Sequence, residues 1–198
     1  MPLLSGEFWV EVDPLVEVET NLETGDDQIL VLLTEARYVF SGMIYGFEFR
    51  YVPLDLGRDV AEEFELDPVA EIPWGDPGII VAESRYENGR LYALIRYWVS
   101  REQRAWIDFW GSNVHPSVSA FGTGDFLEGR PAKFSSFYDG IRESIRGYLR
   151  PREANKPREI AGRIAFSQVP YVVIDGGVYR SRVEVKLDIR NIVPYKVY

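Results

Sequence analysis

The stretch of the chain richest in groups that could do chemistry is DFWGSNVHPSVSAFGTGD, residues 108–125. It holds the only histidine of the chain, His115, with Ser112, Ser117 and Ser119 nearby and an aspartate at each end. A Ser-His-Asp triad requires an imidazole that can orient between a nucleophile and an acid. None of these serines, however, lies in a G-x-S-x-G nucleophile elbow. We therefore expect His115 to be a surface-loop residue without a catalytic role, and we assign no catalytic residue.

The residue inventory excludes several kinds of catalytic centre. The chain has no cysteine and a single histidine, so thiolate chemistry, disulfides, iron–sulfur clusters and histidine-based zinc sites are ruled out. The glycines of residues 121–131, FGTGDFLEGRP, match neither a dinucleotide-binding loop nor a phosphate loop, and they predict a turn-rich loop. The acidic residues 19–27 lack the D-x-D-x-D-G spacing of a calcium loop. We expect neither a bound metal ion nor a cofactor.

Trp106, Asp108 and Trp110 alternate with apolar residues, which predicts one strand face carrying two indole rings and a carboxylate. Aromatic faces stack on sugar rings, and a glycosidase can work with carboxylates alone. These three residues are therefore candidate binding residues. Two alternatives stay open: Asp108 lies on the solvent side of a sheet edge, or the segment is a helix, because Ser100 and Gln103 resemble a capping box. We favour the strand.

Arg142, Arg146 and Arg150 recur every four residues and form a like-charged stripe on a predicted helix. Like charges at this spacing destabilise a helix by roughly a few tenths of a kcal/mol per pair unless an anion compensates them. One interpretation is that the stripe binds an anionic partner. The other is that it contacts the acidic first half of the same chain or solvent, with some local compensation from Asp139 and Glu143.

The charge of the chain is unevenly distributed along its length. Residues 1–99 contain 20 acidic and 6 basic residues, a charge of −14, whereas residues 100–198 contain 11 acidic and 16 basic residues, a charge of +5. This polarity indicates that the two halves face each other or that each contacts a different partner, unless it is a chance distribution within one fold. The net charge of −9 argues against nucleic acid as a partner, which would require a broad basic face.

Two helices are predicted from the spacing of apolar residues. In residues 27–44 these residues recur in steps of three and four, and an aspartate is available as the N-cap. Residues 136–150 repeat the pattern, and Ser136 and Asp139 are spaced as a capping box. Residues 57–68 are polar and fit a short helix or a loop.

Period-two alternation predicts strands joined in hairpins. The clearest turn is Asn88-Gly89, because both residues readily take the positive φ angles of a type I′ turn. Residues 179–190 alternate between the two faces of a strand with one wet side. Hairpins with two separate helices indicate a single α+β domain over residues 1–198, with a mainly antiparallel sheet packed against helices at about 27–44 and 136–150. The other strands are predicted at residues 8–19, broken at Pro14, and at residues 47–51.

Together these patterns predict a soluble, acidic, aromatic-rich binding or interaction protein rather than an enzyme, with a protein or a small molecule as its ligand. No run of apolar residues is long enough for a membrane span, and the first residues lack the features of a signal peptide. A cysteine-free chain suits an oxidising compartment, which favours a periplasmic or secreted location in the bacterial cell envelope. A carboxylate-based hydrolase acting on carbohydrate and a self-associating structural subunit are the alternatives.

Overall fold

The chain forms an α+β structure of antiparallel sheets packed against helices, as its sequence predicts. The computed structural model describes residues 3–12, 26–129, 131–152 and 155–195. Within these ranges lie three helices, α1 (Asp26–Ile44), α2 (Arg101–Gly111) and α3 (Pro131–Leu149). The strands in the same ranges are β1 (Leu3–Glu11), β2 (Phe47–Val52), β3 (Glu63–Pro68), β4 (Ile79–Glu87), β5 (Arg90–Trp98), β6 (Ser117–Asp125), β7 (Glu159–Phe166), β8 (Tyr171–Asp175) and β9 (Val178–Val193).

The strands are arranged in two sheets. The smaller has the order β1-β5-β4, and the larger has the order β3-β2-β7-β9-β6, with β8 also paired to β9. Strands β4 and β5 are joined at Asn88 and Gly89, whose φ angles of 52° and 74° confirm the predicted hairpin turn. In the larger sheet β9 is the organising strand, because β6 pairs along one side of it while β8 and then β7 pair along the other.

A contiguous apolar core joins the two sheets through α1. This helix packs on β1 and β5 of the smaller sheet and on β7 of the larger one. The ring of Phe40 lies 5.7 Å from that of Phe8 in β1 and 6.3 Å from that of Tyr97 in β5. Alternate residues of β5 and β9 are buried, so the period-two pattern of the sequence corresponds to one buried face in each strand.

Helix α3 lies directly on β6 because two glycines of the strand remove the side chains that would separate them. A Cβ atom on Gly122 would be 2.1 Å from the nitrogen of Gly140, and one on Gly124 would be 1.9 Å from the carbonyl oxygen of Ala132. No larger residue fits at these distances. The prediction of a turn-rich loop over residues 121–131 is therefore wrong at its start, where the glycines permit close helix packing within a strand.

Residues 101–111 form helix α2, so the prediction of a strand carrying Trp106, Asp108 and Trp110 is wrong. The hydroxyl of Ser100 accepts a hydrogen bond from the Gln103 backbone N–H, and the Gln103 side chain accepts one from the Ser100 N–H, which completes the capping box. The alternation of large aromatic residues in this segment is typical of a strand, although the same segment also has helical spacing. The buried and half-buried apolar-face positions are 103, 106, 107 and 110, three or four residues apart.

Helix α3 begins earlier than predicted, at Pro131, where a missing backbone N–H costs nothing. Ser136 therefore lies inside the helix, and its hydroxyl donates to the carbonyl oxygen of Lys133 instead of capping the N-terminus. Asp139 is also inside the helix, and its carboxylate accepts a hydrogen bond from the backbone N–H of Thr123 in β6. Ser136 and Asp139, which the sequence predicts as a capping box, therefore make contacts within α3 and between α3 and β6.

The remaining sequence predictions are met in part. Helix α1 agrees with the predicted residues 27–44, and β2 agrees with the strand predicted over residues 47–51. Residues 63–68 form strand β3 rather than part of a short helix. The strand predicted over residues 8–19 is present as β1 as far as Glu11, and its later part lies outside the described residues, as does the acidic turn before Asp26.

In the part of the chain that the structure describes, no helix has the length and apolar character needed to cross a membrane.

Candidate functional site

An open groove of about 340 Å³ lies where the start of α2 meets the end of β5 and the residue that follows α1. We call it the aromatic groove. Its lining residues come from three separate parts of the chain, at positions 45, 76 and 97–106, so the groove exists only after folding. Its lining residues are Tyr45, Asp76, Tyr97, Trp98, Ser100, Glu102, Gln103 and Trp106.

Gln103 holds the floor of the aromatic groove together. Its side-chain nitrogen donates to the hydroxyl oxygens of Tyr45, at 2.9 Å, and Tyr97, at 2.8 Å. Its side-chain oxygen accepts from the backbone N–H of Ser100 at 2.8 Å, as part of the capping box of α2. One buried amide therefore links α1, α2 and β5 and fixes the positions of two tyrosines.

Two carboxylates line the groove. Asp76 accepts hydrogen bonds from the backbone N–H of Gly78, at 2.8 Å, and from the hydroxyl of Tyr97, at 3.3 Å. Burial raises the pKa of Tyr97, so this hydroxyl keeps the proton that it donates. The Glu102 carboxylate is exposed, and among the described residues it has neither an ion pair nor a hydrogen bond. Both carboxylates are thus placed beside the open space.

Four of the eight residues that line the groove are aromatic: Tyr45, Tyr97, Trp98 and Trp106. The rings of Tyr45 and Trp106 are 6.0 Å apart between centroids and are inclined at 76°, so they form two nearly perpendicular surfaces. Trp98, at the end of β5, is 46% exposed. Among the described residues, the charged members of the lining are Asp76 and Glu102, with neither a lysine nor an arginine. The groove therefore combines ring faces with uncompensated negative charge.

The structure separates the three candidate residues of the predicted strand face. Trp106 lines the aromatic groove. The side chain of Asp108 is 71% exposed and lies 4.0 Å from the Arg104 guanidinium one turn earlier, whereas Trp110 is buried. Residues two apart on a helix do not share a face, so the three side chains cannot act on one ligand as the strand interpretation required. The sequence did not predict the other groove residues. The capping box of Ser100 and Gln103 is the local signal that marks the start of α2 and so the groove residues beside it.

His115 is buried, so the prediction of a surface-loop histidine is wrong. Only 7% of it is exposed, and its ring lies 4.5 Å from that of Phe109 and 5.3 Å from that of Trp110. The turn after α2 folds back on the helix and places the imidazole against these two rings. Among the described residues its side chain has no hydrogen bond to a serine or an aspartate. His115 therefore packs the end of α2.

The arginine stripe of α3 contacts the acidic first half of the chain. Arg142 forms ion pairs with Asp139, with Glu143 at 3.5 Å and with Glu62 at 3.6 Å. Arg146 lies 2.7 Å from Glu143 and 3.9 Å from Glu62. Two of the three guanidinium groups are thus compensated within the chain. The third, on the exposed residue at position 150, has no ion pair among the described residues, and recognition of an anionic partner by the stripe stays a prediction.

A second group of charges is buried, and we call it the Lys133 cluster: Lys133, Glu35, Trp9 and Tyr179. The Lys133 ammonium lies 2.7 Å from the Glu35 carboxylate, donates to the Trp9 carbonyl oxygen at 2.8 Å and lies 4.5 Å from the Trp9 ring centroid. Burial raises the pKa of Glu35 and lowers that of Lys133. The adjoining cavity of about 30 Å³ is the size of one water molecule. Nothing in the local sequence pattern predicted this pair.

Among the residues that the structure describes, no three histidine, aspartate or glutamate side chains are grouped closely enough to hold a metal ion.

Comparison with known proteins extends over almost the whole chain. A protein-family model that carries no functional description matches residues 2–195. An uncharacterised protein of Treponema pallidum (strain Nichols) is 23% identical over 199 residues, which cover 98% of this chain and 83% of that protein. No solved structure matches the chain. These similarities bring no ligand or activity with them, so the function has to be argued from the groove.

Proposed function

The chain belongs to the family whose model matches residues 2–195, and we propose that it is a binding protein that holds a small organic ligand in the aromatic groove without converting it. The observation that carries the proposal is a preformed space of about 340 Å³ walled by Tyr45, Trp98 and Trp106. Small-molecule sites in proteins have volumes of roughly 300–1,000 Å³ and aromatic walls with a few placed polar groups. The aromatic groove has a volume in this range, and its lining combines aromatic residues with two carboxylates.

The volumes of the two charged regions support this choice of site. The Lys133 cluster adjoins a cavity of about 30 Å³, and its ammonium and carboxylate are already bound to each other. The aromatic groove is about ten times larger, and its carboxylates face open space. A ligand of several non-hydrogen atoms fits only the second region.

Preorganisation is the second support. Gln103 and the hydroxyls of Tyr45 and Tyr97 are hydrogen-bonded to one another before any ligand arrives. Ring and hydroxyl positions that are already fixed lose little conformational entropy on binding, so more of the contact energy contributes to affinity. Trp98, whose ring is largely exposed in the free protein, supplies the apolar surface that a ligand would cover.

A carboxylate-based hydrolase acting on carbohydrate is the second candidate, because Asp76 and Glu102 line one groove beside tryptophan rings. A glycosidase uses two carboxyl groups roughly 5–10 Å apart, one of which must hold a proton. Such a general acid is usually kept protonated by an apolar pocket. Asp76 is only half-buried and Glu102 is exposed, which favours binding over catalysis.

A ligand screen with matched variants tests the proposal. Ligand-observed NMR with small amines, sugars and aromatic metabolites is expected to find compounds that bind the wild-type protein and lose binding to Trp98→Leu. Trp74→Leu is the control, because Trp74 is 57% exposed but lies outside the groove lining. The proposal fails if every binder binds Trp98→Leu as well as the wild type, or if the library yields no binder.

The hydrolase alternative is tested on chromogenic glycosides with the same protein. We expect no product above the buffer rate. Release of the chromophore by the wild type that disappears in Glu102→Gln would establish hydrolysis in place of simple binding.

A further inference from the structure

We propose that the ligand of the aromatic groove is an alkylated ammonium cation. This inference rests on the proposed function and specifies the chemistry of the ligand. Three features of the groove support an alkylated ammonium: the sign of its charge, the polar groups that remain available for a ligand, and the arrangement of its rings.

The charge of the groove favours a cation. Asp76 and Glu102 are the charged residues of its lining, and in the part of the chain that the structure describes no lysine or arginine lines the groove beside them. Asp76 is partly neutralised by the hydrogen bonds that it accepts from Gly78 and Tyr97. The chain as a whole carries a charge of −9, which attracts cations and repels anions at long range. The positive N-terminal end of α2 also borders the groove and partly offsets the charge of Glu102, so it is the side chains of the lining that favour a cation.

The polar groups that remain available argue against a neutral sugar. Gln103 is the amide of the lining, and both its nitrogen and its oxygen are already engaged, by Tyr45, Tyr97 and Ser100. A site for a polyhydroxylated ligand needs uncommitted donors and acceptors at several points of the ring. Besides the indole N–H groups of Trp98 and Trp106, the groove offers carboxylate oxygens and ring faces. The carboxylates and ring faces stabilise a positive charge that carries few hydrogen-bond donors of its own.

The arrangement of the rings matches such a cation. Tyr45 and Trp106 present nearly perpendicular surfaces with centroids 6.0 Å apart, and Trp98 stands at the same groove with its ring exposed. Ring faces attract cations, tryptophan most strongly, and several faces around one charge are the usual site for methylated ammonium groups. A metal ion would instead require several oxygen ligands at short distance. The groove therefore suits an ammonium whose alkyl groups contact the rings.

Isothermal titration calorimetry with choline and its uncharged isostere 3,3-dimethylbutan-1-ol tests the inference on the full chain. Because only choline carries the charge, we expect it to bind at least about tenfold more tightly than the isostere. Trp98→Leu is expected to weaken choline binding about tenfold, and Glu102→Gln about threefold, by removing a ring and a charge respectively. Trp74→Leu and Asp108→Asn are the matched controls and should bind choline as the wild type does, since neither residue lines the groove.

The outcomes distinguish failure of the ammonium-binding inference from failure of the proposed binding function. Equal binding of choline and its isostere, or Trp98-dependent binding of a neutral sugar without choline binding, overturns the cation and leaves the groove as a binding site. Choline binding that is the same in Trp98→Leu and Glu102→Gln places the cation elsewhere and overturns the inference. Absence of any Trp98-dependent binder among choline, the isostere and the sugars overturns both the inference and the proposed function.

Discussion

The Lys133 cluster and the aromatic groove contain the same kinds of residue but differ in what their charged groups contact. Each combines tyrosine, tryptophan and carboxylate side chains. In the cluster, the Glu35 carboxylate lies 2.7 Å from the buried Lys133 ammonium, and the cavity beside them has a volume of about 30 Å³. In the groove, Asp76 and Glu102 lie beside an open space of about 340 Å³, and the described lining residues include no basic side chain.

A structural charge and a charge that binds a ligand differ in whether an opposite charge of the protein compensates them, and the residue type does not distinguish them. A buried ion pair whose members satisfy each other holds its elements together, and removal of one partner leaves an uncompensated charge in a low-dielectric interior. A carboxylate that no side chain of the protein compensates contributes little to folding and remains available to a ligand. Mutations should therefore affect stability strongly in the cluster and weakly in the groove.

The largest expected effect is that of Lys133→Ala. The Glu35 side chain is 5% exposed and would remain buried without its cation, so we expect a loss of about 3–5 kcal/mol in the free energy of unfolding. Urea denaturation followed by circular dichroism measures the loss. The double variant Lys133→Met, Glu35→Leu is the control, because it removes both charges, and it should recover most of the stability. A loss below about 1 kcal/mol in the single variant would contradict the structural role of the pair.

Gly124→Ala tests the same region at the seam between β6 and α3. A Cβ atom there would lie 1.9 Å from the Ala132 carbonyl oxygen, next to Lys133 in the chain, so α3 must shift. We expect a loss of about 1–3 kcal/mol from overpacking, measured as a lower midpoint of thermal unfolding. Gly147→Ala is the control within α3, because its Cβ would meet nothing within 4 Å. It should stabilise the protein by about 0.5–1 kcal/mol, and equal effects of the two variants would refute the tight seam.

The pH dependence of stability gives a third test. Burial raises the pKa of Tyr179 in the cluster to about 12, whereas an unfolded tyrosine titrates near about 10. Because the folded pKa is the higher one, the contribution of Tyr179 to stability is complete below about pH 10 and is lost as the pH rises to about 12. The wild type should lose of the order of 2 kcal/mol more than Tyr179→Phe over this interval in urea titrations at fixed pH. Parallel alkaline curves for the two proteins would show that Tyr179 is not protected in the cluster.

The smallest effects are expected in the groove. Trp98 is 46% exposed, and Glu102 has no ion pair among the described residues, so Trp98→Leu and Glu102→Gln should each change the free energy of unfolding by less than about 1 kcal/mol. Glu102 lies in the first turn of α2, where its charge favours the helix end, and this accounts for a small loss. The same urea titration as for Lys133→Ala makes the comparison direct. Losses of several kcal/mol would mean that the groove residues hold the fold together and would remove the contrast between the two regions.

Local patterns predicted the elements whose signals lie within a few neighbouring residues. The apolar spacing of α1, the Asn88-Gly89 turn and the alternation in β9 all correspond to observed structure. Helix α2 differs from the predicted strand because strand and helix patterns coexist in its sequence, and the capping box of Ser100 and Gln103 belongs to the helical one. Of the candidate residues, Trp106 lies in the groove, although the strand face on which the sequence places it does not exist.

What the sequence determined by itself is local chemistry: a cysteine-free, acidic chain with helix and strand periods that define an antiparallel α+β fold. Only the tertiary structure decided which side chains meet. Gln103 reaches Tyr45 across 58 residues of chain, and Lys133 reaches Glu35 across 98. Periodicity reports which face of an element is apolar, but it does not report which distant element covers that face. Because burial and compensation depend on that packing, the sequence alone could not tell a structural carboxylate from one that is available to a ligand.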